Sequence, residues 1–438
     1  MKIRDVIHGS ISIESSELPI IDSRYFQRLR QIKQLGFAEN SFPSATHNRF
    51  IHSLGAMKTA TLIFENIFRP KAGRLELSSS ALTRFRSVVR LAALLHDIGH
   101  GPLSHTTEFA MPSVSKLDLP SILPQANESR KATHEDFTLK MILDSGLTEL
   151  IEKAGHPHGF RAIHVAALIE PKIKISDDFF SSQLRGSNET IDFRPLLKQI
   201  ISSELDADRM DYLRRDSLHA GVSYGQFDSE WLIGSLSAHT NGGKCFLTLE
   251  HKGLYAFEDF LISRFHMFLM VYFHQKSVVF DEMLGQYFSS PDCTFVLPTD
   301  MEKYCEIHDS QLYSHLAASQ NPWARRITER RPYRMLVEFH SGIPVTRSSQ
   351  KEQEKLHEEI EIKLRNEQIH HLSVTSTSEL SKYFGTPGDP IFVRYDNHYS
   401  APNYILIEEC TDLFRKYGEK RTITRLYVAP EDYDRCFR

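Results

Sequence analysis

His96 and Asp97 adjoin at the end of an apolar run, Leu91-Ala92-Ala93-Leu94-Leu95, and lead into Ile98-Gly99-His100-Gly101-Pro102-Leu103-Ser104-His105. A neutral imidazole nitrogen beside a hard carboxylate oxygen is a donor pair suited to a divalent cation. A His-Asp dipeptide recurs by chance, so the neighbouring segments decide. Three more carry the same residue types: Thr46-His47-Asn48-Arg49-Phe50-Ile51-His52, Lys131-Ala132-Thr133-His134-Glu135, and Leu205-Asp206-Ala207-Asp208-Arg209-Met210-Asp211-Tyr212. Each histidine taken singly reads as a satisfied core or surface residue. The ordered set reads as one metal site, of the kind that makes hydroxide available near neutral pH.

The elements that position these residues are mostly helical. Phe85 to Leu95 is apolar almost all round, which predicts a buried helix running into His96-Asp97 and ending at Gly99. Leu54 to Phe68 has helical spacing with Pro70 just beyond, and Tyr25 to Ile32, His134 to Leu143 and Leu197 to Arg215 repeat the pattern. Residues 253–288 read as one or two long helices rich in phenylalanine. Ile11 to Glu14 is strand-like. Ala110 to Thr133 holds three prolines and little periodicity, which predicts a long loop or lid beside the site.

Beyond about Ser290 the texture changes. Thr294 to Leu297, Met335 to Phe339 and Pro390 to Arg394 read as strands, alternating with helices such as the charged Glu352 to Arg365. The expectation is a mainly α protein, with a helical part over 1–290 and a smaller α+β region over 291–438. At 438 residues the chain exceeds the size at which one core usually stops growing, which favours this division.

Composition excludes several classes. Basic and acidic side chains number 52 and 56, so no general electrostatic pull towards nucleic acid or anionic membrane exists. Any phosphate must be held by a local basic pocket. No apolar run reaches the roughly 18 residues of a membrane span, and the first residues, Met1-Lys2-Ile3-Arg4-Asp5, carry no signal core. Cys245, Cys293, Cys305, Cys410 and Cys436 are scattered without a C-x-x-C pair, which predicts reduced thiols and a cytoplasmic setting.

These segments resemble the HD-domain superfamily, and within it the deoxynucleoside triphosphate triphosphohydrolases that include a sterile-alpha-motif/HD type. The family's D-x-I-H-G stands at Asp5 to Gly9, its F-Q-R-L-R-x-I-K-Q-L-G from Phe26 to Gly36, and its H-x-R-F-x-H-S-L-G from His47 to Gly55. H-D-x-G-H-G-P-x-S-H runs from His96 to His105, D-x-D-R-x-D-Y from Asp206 to Tyr212, and Y-x-H from Tyr272 to His274. The resemblance covers roughly residues 1–290 and starts near Met1, so a form without the sterile-alpha-motif domain is expected.

The resemblance implies an all-helical HD core and a role for each residue. His52, His96, Asp97 and Asp208 correspond to the metal ligands; Mn, Fe, Mg, Zn and Ni are not distinguished, and further Mg is expected on the triphosphate. His105 corresponds to the proton donor for the leaving 5′-oxygen, with Glu108 to orient it, and His100 and His134 to groups that stabilise charge in the transition state. Arg49, Arg209 and Arg264 correspond to triphosphate contacts, for which guanidinium forks are suited. Gln34 and Asp216 match contacts to the 3′-hydroxyl, Leu35 and Tyr272 match a wall against the 2′-carbon, and Tyr212 lines the same pocket. Arg264 and Tyr272 fall about 80° apart on a helical wheel and share a side of it.

Asp22, Gln27 and Arg30 match residues that recognise a guanine nucleotide activator, whereas a phosphate-gripping lysine of the family falls at Met1, and its further histidine before Tyr272 is Phe268. A homodimer or homotetramer is the expected assembly, with a deoxynucleoside triphosphate as substrate. Two other functions fit the same metal site: an HD nucleotidase or phosphodiesterase acting on a monophosphate, cyclic nucleotide or alarmone, and a nucleotide-sensing regulator.

Overall fold

A computed structural model describes residues 1–438 other than 71–74, 126–127, 342–346, 379–387, 398, 400, 414–419 and 438, without the side chains of 347–350. The fold is mainly α, with strands concentrated in small sheets. Side-chain caps set where the helices that carry the site begin. Asn48 accepts the backbone N–H of Ile51 at 3.3 Å to start Arg49–Ile67. Ser78 accepts that of Ala81 at 3.2 Å to start Ser79–Leu95. Both helices begin earlier than apolar periodicity predicts, because the cap and not the first apolar residue fixes the start. His52 therefore lies near the first turn of one helix, while His96 closes the C-terminal end of the other. The two pack together, and the second is buried along most of its length.

The expected helix from Leu197 to Arg215 is two helices, Arg194–Ile201 and Ala207–Ala220. Asp206 makes the break. Its carboxylate accepts the backbone N–H groups of Arg209 and Ser203, both at 2.8 Å, and so caps the second helix. Asp208 then sits in a first turn, where the exposed N–H groups of the helix favour an acid. The phenylalanine-rich stretch is Leu254–Met267 and Gln275–Phe288, joined through a π-helical turn over Phe268–Tyr272. That turn breaks the simple helical wheel, yet Tyr272 still faces Tyr212, with ring centroids 6.3 Å apart.

Lys2–Asp5 and Gly9–Ser12 form a hairpin in which Asp5 pairs with Gly9. A six-stranded sheet runs in the order 403–406, 392–395, 244–250, 190–192, 181–183, with 236–241 also paired to 244–250. Strands from both sides of residue 290 thus share one sheet. A separate antiparallel sheet places 421–428 between 334–341 and 371–378, and Arg347–Asn366 is helical.

Two expectations need correction. Thr294 to Leu297 is not a strand: it has no paired neighbour, and Phe295 packs on Phe288 with centroids 5.8 Å apart. Ala110 to Thr133 is a loop in its described residues, as expected, apart from the short helix Val114–Leu117, but it is no free lid. Val114, Leu117, Leu119 and Leu123 are buried in the core, and Ser113 bridges to Lys131. Scattered apolar side chains hold this segment down without any regular period.

Candidate active site

His52, His96, Asp97 and Asp208 each offer one donor atom, and these atoms all lie within 4.8 Å of one another. Asp208 Oδ1 stands 3.0 Å from His52 Nε2 and 3.4 Å from His96 Nε2, and Asp97 lies 3.5 and 3.4 Å from the same nitrogens. Hydrogen bonding at the other ring nitrogen tests whether a metal fits. His96 Nδ1 donates to the carbonyl of Ala93 at 2.8 Å, and His52 Nδ1 donates to Asp211 at 2.9 Å. Each Nε2 is therefore left with a lone pair, buried and without a hydrogen-bond partner. Two such nitrogens facing two carboxylates fit a divalent cation.

The electrostatics agree. Burial works against charge on His52, but the carboxylates of Asp208, Asp211 and Asp97 around it outweigh burial and hold the imidazole well above its ordinary range. Burial likewise opposes ionisation of Asp97, and the neighbouring His96 and Arg49 lead in overcoming it and keep the carboxylate charged. The site thus attracts positive charge, which a bound cation supplies in place of protons.

Behind His52 stands a layer to which the sequence reading gave no role. Asp211 accepts from His52, from His8 Nε2 at 2.7 Å and from Arg215 at 2.8 and 2.9 Å, and Arg215 continues to Asp5 at 2.8 Å. Asp211 and Arg215 are fully buried. A β-carbon on Gly55 would collide with both, which explains glycine there. The i, i+4 spacing of Asp211 and Arg215 was the available sequence signal.

A second cluster adjoins the first. His100 stacks on His134 with centroids 3.8 Å apart, and His105 meets both rings edge-on. Glu108 accepts from His134 Nδ1 at 2.5 Å and His105 Nδ1 at 3.2 Å. Burial opposes charge on Glu108, yet those two imidazoles hold its carboxyl far below the usual range. Burial together with Arg49 and His134 depresses His100, which stays neutral. Its ring lies 3.4 Å from Asp97 and so links the two clusters.

The remaining expected site residues divide between open and engaged. Arg49 binds Asp97 and donates to Ser104 Oγ at 2.9 Å. Arg209 is paired with Glu204 at 3.0 Å and Asp206 at 3.7 Å, so it faces two carboxylates. Arg264 is buried with its guanidinium over the Phe268 ring. Asp216 accepts from Tyr272 and His47, each at 2.8 Å, and the Oε1 of buried Gln34 has no partner. Leu35 is half-buried at the turn entering Gly36. Apart from this pocket, Gln27 donates to the carbonyl of Ile21 and accepts from Arg30, both at 2.8 Å, while Asp22 is exposed.

Two family models match the chain: "HD domain" over residues 49–216 and "HD associated region" over residues 227–369. The chain is an HD-domain protein. His96-Asp97 lies within the matched segment and belongs to the quartet that could hold a metal ion. Among relatives, an uncharacterized protein of Methanocaldococcus jannaschii is 33% identical over 337 residues, which is 77% of this chain and 59% of that protein. An uncharacterized protein of Bacillus subtilis is 33% identical over 275 residues, 62% and 51% of the two chains. A Dictyostelium discoideum protein named deoxynucleoside triphosphate triphosphohydrolase SAMHD1 homolog is 29% identical over 359 residues, 78% and 60%. The HD-domain chain thus spans between about half and three fifths of these relatives' length. The crystal structure of a hypothetical protein from Aquifex aeolicus matches it with a TM-score of 0.74 at 26% identity, covering 100% of this chain and 98% of that one. A phosphohydrolase from Bacteroides thetaiotaomicron shares the fold, with a TM-score of 0.67 at 22% identity over 98% and 99% of the two chains. No described helix is long and apolar enough to cross a membrane.

Proposed function

We propose that this HD-domain protein hydrolyses deoxynucleoside triphosphates to deoxynucleoside and inorganic triphosphate. The observation that carries the reading is the adjacency of the His52, His96, Asp97, Asp208 quartet to the His100, His105, Glu108, His134 cluster, joined through His100 beside Asp97. Relatives named for this activity support it.

His52, His96, Asp97 and Asp208 would hold a divalent metal, which would supply an activated water and positive charge beside the phosphate. The protein's own groups do the rest. Arg49 and Arg264 hold phosphate oxygens through guanidinium N–H groups. As the bond between the α-phosphorus and the 5′-oxygen breaks and a water oxygen bonds to phosphorus, His105 gives a proton to the departing 5′-oxygen. Glu108 steadies that imidazole through Nδ1, leaving Nε2 for the transfer. Tyr272 packed against C2′ leaves no room for a ribose hydroxyl, which selects deoxyribose.

The protein works as a homo-oligomer in this reading, and a guanine nucleotide reaches Asp22, Gln27 and Arg30. Residues 1–290 carry the chemistry, and residues 291–438 serve assembly or regulation. One observation favours an HD nucleotidase acting on fewer phosphates: Arg209 is engaged by Glu204 and Asp206. Incubation with each dNTP and Mn²⁺ or Mg²⁺, followed by chromatography, decides. Deoxynucleoside with intact triphosphate supports the proposal, whereas stepwise diphosphate and monophosphate sink it.

A further inference from the structure

Behind the metal centre, on the far side of Asp211, lies a cavity of about 170 Å³ whose lining includes His8, Lys58, Thr59, Arg214, Ser229 and Glu230. Lys58 and Arg214 are both half-buried, and neither has an acidic partner among the described residues. Two cations partly withdrawn from water and left without a counter-ion give the cavity a positive potential. Glu230, the one carboxylate of the lining, is exposed.

Thr59 gives an independent sign. It is 2% exposed, and its hydroxyl has no hydrogen-bond partner. A threonine within a helix ordinarily satisfies itself on the carbonyl four residues back, as Thr61 does on Met57 at 2.7 Å in the same helix. Thr59 forgoes that bond, and its residue lines the cavity. A hydroxyl donor and two cations around one side of a small cavity, with Ile7, Leu62, Met210 and Ile233 also lining it, form the donor set of an oxyanion site. None of the substrate-pocket residues lines it.

We infer that this cavity binds a phosphate-class oxyanion, free or as the phosphate of a nucleotide, through Lys58, Arg214 and the Thr59 hydroxyl. The site stands two hydrogen bonds from a metal-site histidine, along His8, Asp211 and His52.

The test is calorimetric titration of the metal-loaded protein with inorganic phosphate and, separately, with GMP. The wild type binds at least one of them outside the active site. A Lys58→Gln/Arg214→Gln double variant loses that binding by at least about tenfold, and Thr59→Val weakens it by a smaller factor. Both variants keep the wild-type melting temperature and turnover, which separates this site from the substrate pocket. Tighter binding of phosphate identifies the free anion, and tighter binding of GMP a nucleotide phosphate. The inference is overturned when neither ligand binds the wild type, or when the double variant titrates as the wild type does. Because the readout is binding, it holds whether or not the protein hydrolyses dNTPs.

Discussion

Asp309 accepts the backbone N–H of Leu103 at 2.8 Å through one carboxylate oxygen, and through the other it accepts that of Lys33 at 3.0 Å. Leu103 and Ser104 are consecutive residues with φ of 55° and 59°, a conformation that costs non-glycine residues about 1–2 kcal/mol each. Ser104 Oγ in turn donates to the Lys33 carbonyl at 2.6 Å and accepts from Arg49. One carboxylate from the HD-associated region therefore holds a strained turn that places Arg49, His105 and the Gln34 segment.

Asp309→Ala should accordingly cut turnover at least about tenfold while leaving bound metal unchanged, and cost roughly 1–3 kcal/mol of stability from stranded buried N–H groups. Asp309→Asn should do no better, because an amide nitrogen cannot accept the second N–H. Steady-state kinetics, metal analysis and thermal melts read the three effects. Wild-type turnover in both variants would show that the turn holds without the clamp.

Removing metal ligands separates coordination from folding. Asp208→Ala and the double change His96→Ala/Asp97→Ala should abolish hydrolysis and bound metal with the helices retained. Asp211→Asn should act more mildly, weakening metal affinity by about 10–100-fold through loss of the His52 orientation. Metal titration followed by elemental analysis checks the series. Stoichiometric metal in the Asp208 variant would remove that residue from the ligand set.

Glu108 offers a test with a defined pH sign. Burial opposes its charge, and His105 and His134 hold its carboxyl in the folded state well below the ordinary glutamate range. Its contribution to stability is present above the unfolded-state value and is lost as pH falls below it. Glu108→Gln should flatten that acid limb of the stability curve, and should lower turnover because His105 loses its support. His105→Ala should lower turnover by roughly 10²–10⁴-fold with little change in KM. Melts from pH 3 to 7 and a rate series read both claims. An unaltered acid limb in the glutamine variant would contradict the assignment.

Local chemistry explains what the sequence disclosed and what it withheld. Periodicity finds the later part of the Ser79–Leu95 helix because Ser87 to Leu95 is buried throughout, and the His-Asp at its end follows directly. The break at Asp206 was missed because a capping aspartate and a helical aspartate look alike until the backbone turns. Asp309 carries no local signal, since its partners Leu103 and Lys33 are distant in sequence and use only backbone atoms. The tie of Arg209 to Glu204 was similarly hidden: a cation's spacing predicts its face, not its counter-ion.

The regulatory expectation turns on Gln27 and Arg30. In this structure Gln27 uses its amide on Ile21 and its carbonyl on Arg30, and the Arg30 guanidinium covers the Phe50 ring at 3.6 Å. These contacts close the pair on itself and leave exposed Asp22 to meet a ligand first. A carboxylate accepts both Watson–Crick-edge donors of guanine, whereas adenine offers no matching pair, so in the proposed regulation it is Asp22 that sets the base preference. Under that proposal, binding between subunits stabilises the assembled state by mass action and makes activity depend on protein concentration. GTP or dGTP should therefore raise both the mass seen by light scattering and the rate on dATP, and Asp22→Ala should remove both responses while leaving the unstimulated rate in place. A monomer that hydrolyses dATP at full rate without a second nucleotide would end the regulatory reading and leave the metal chemistry untouched.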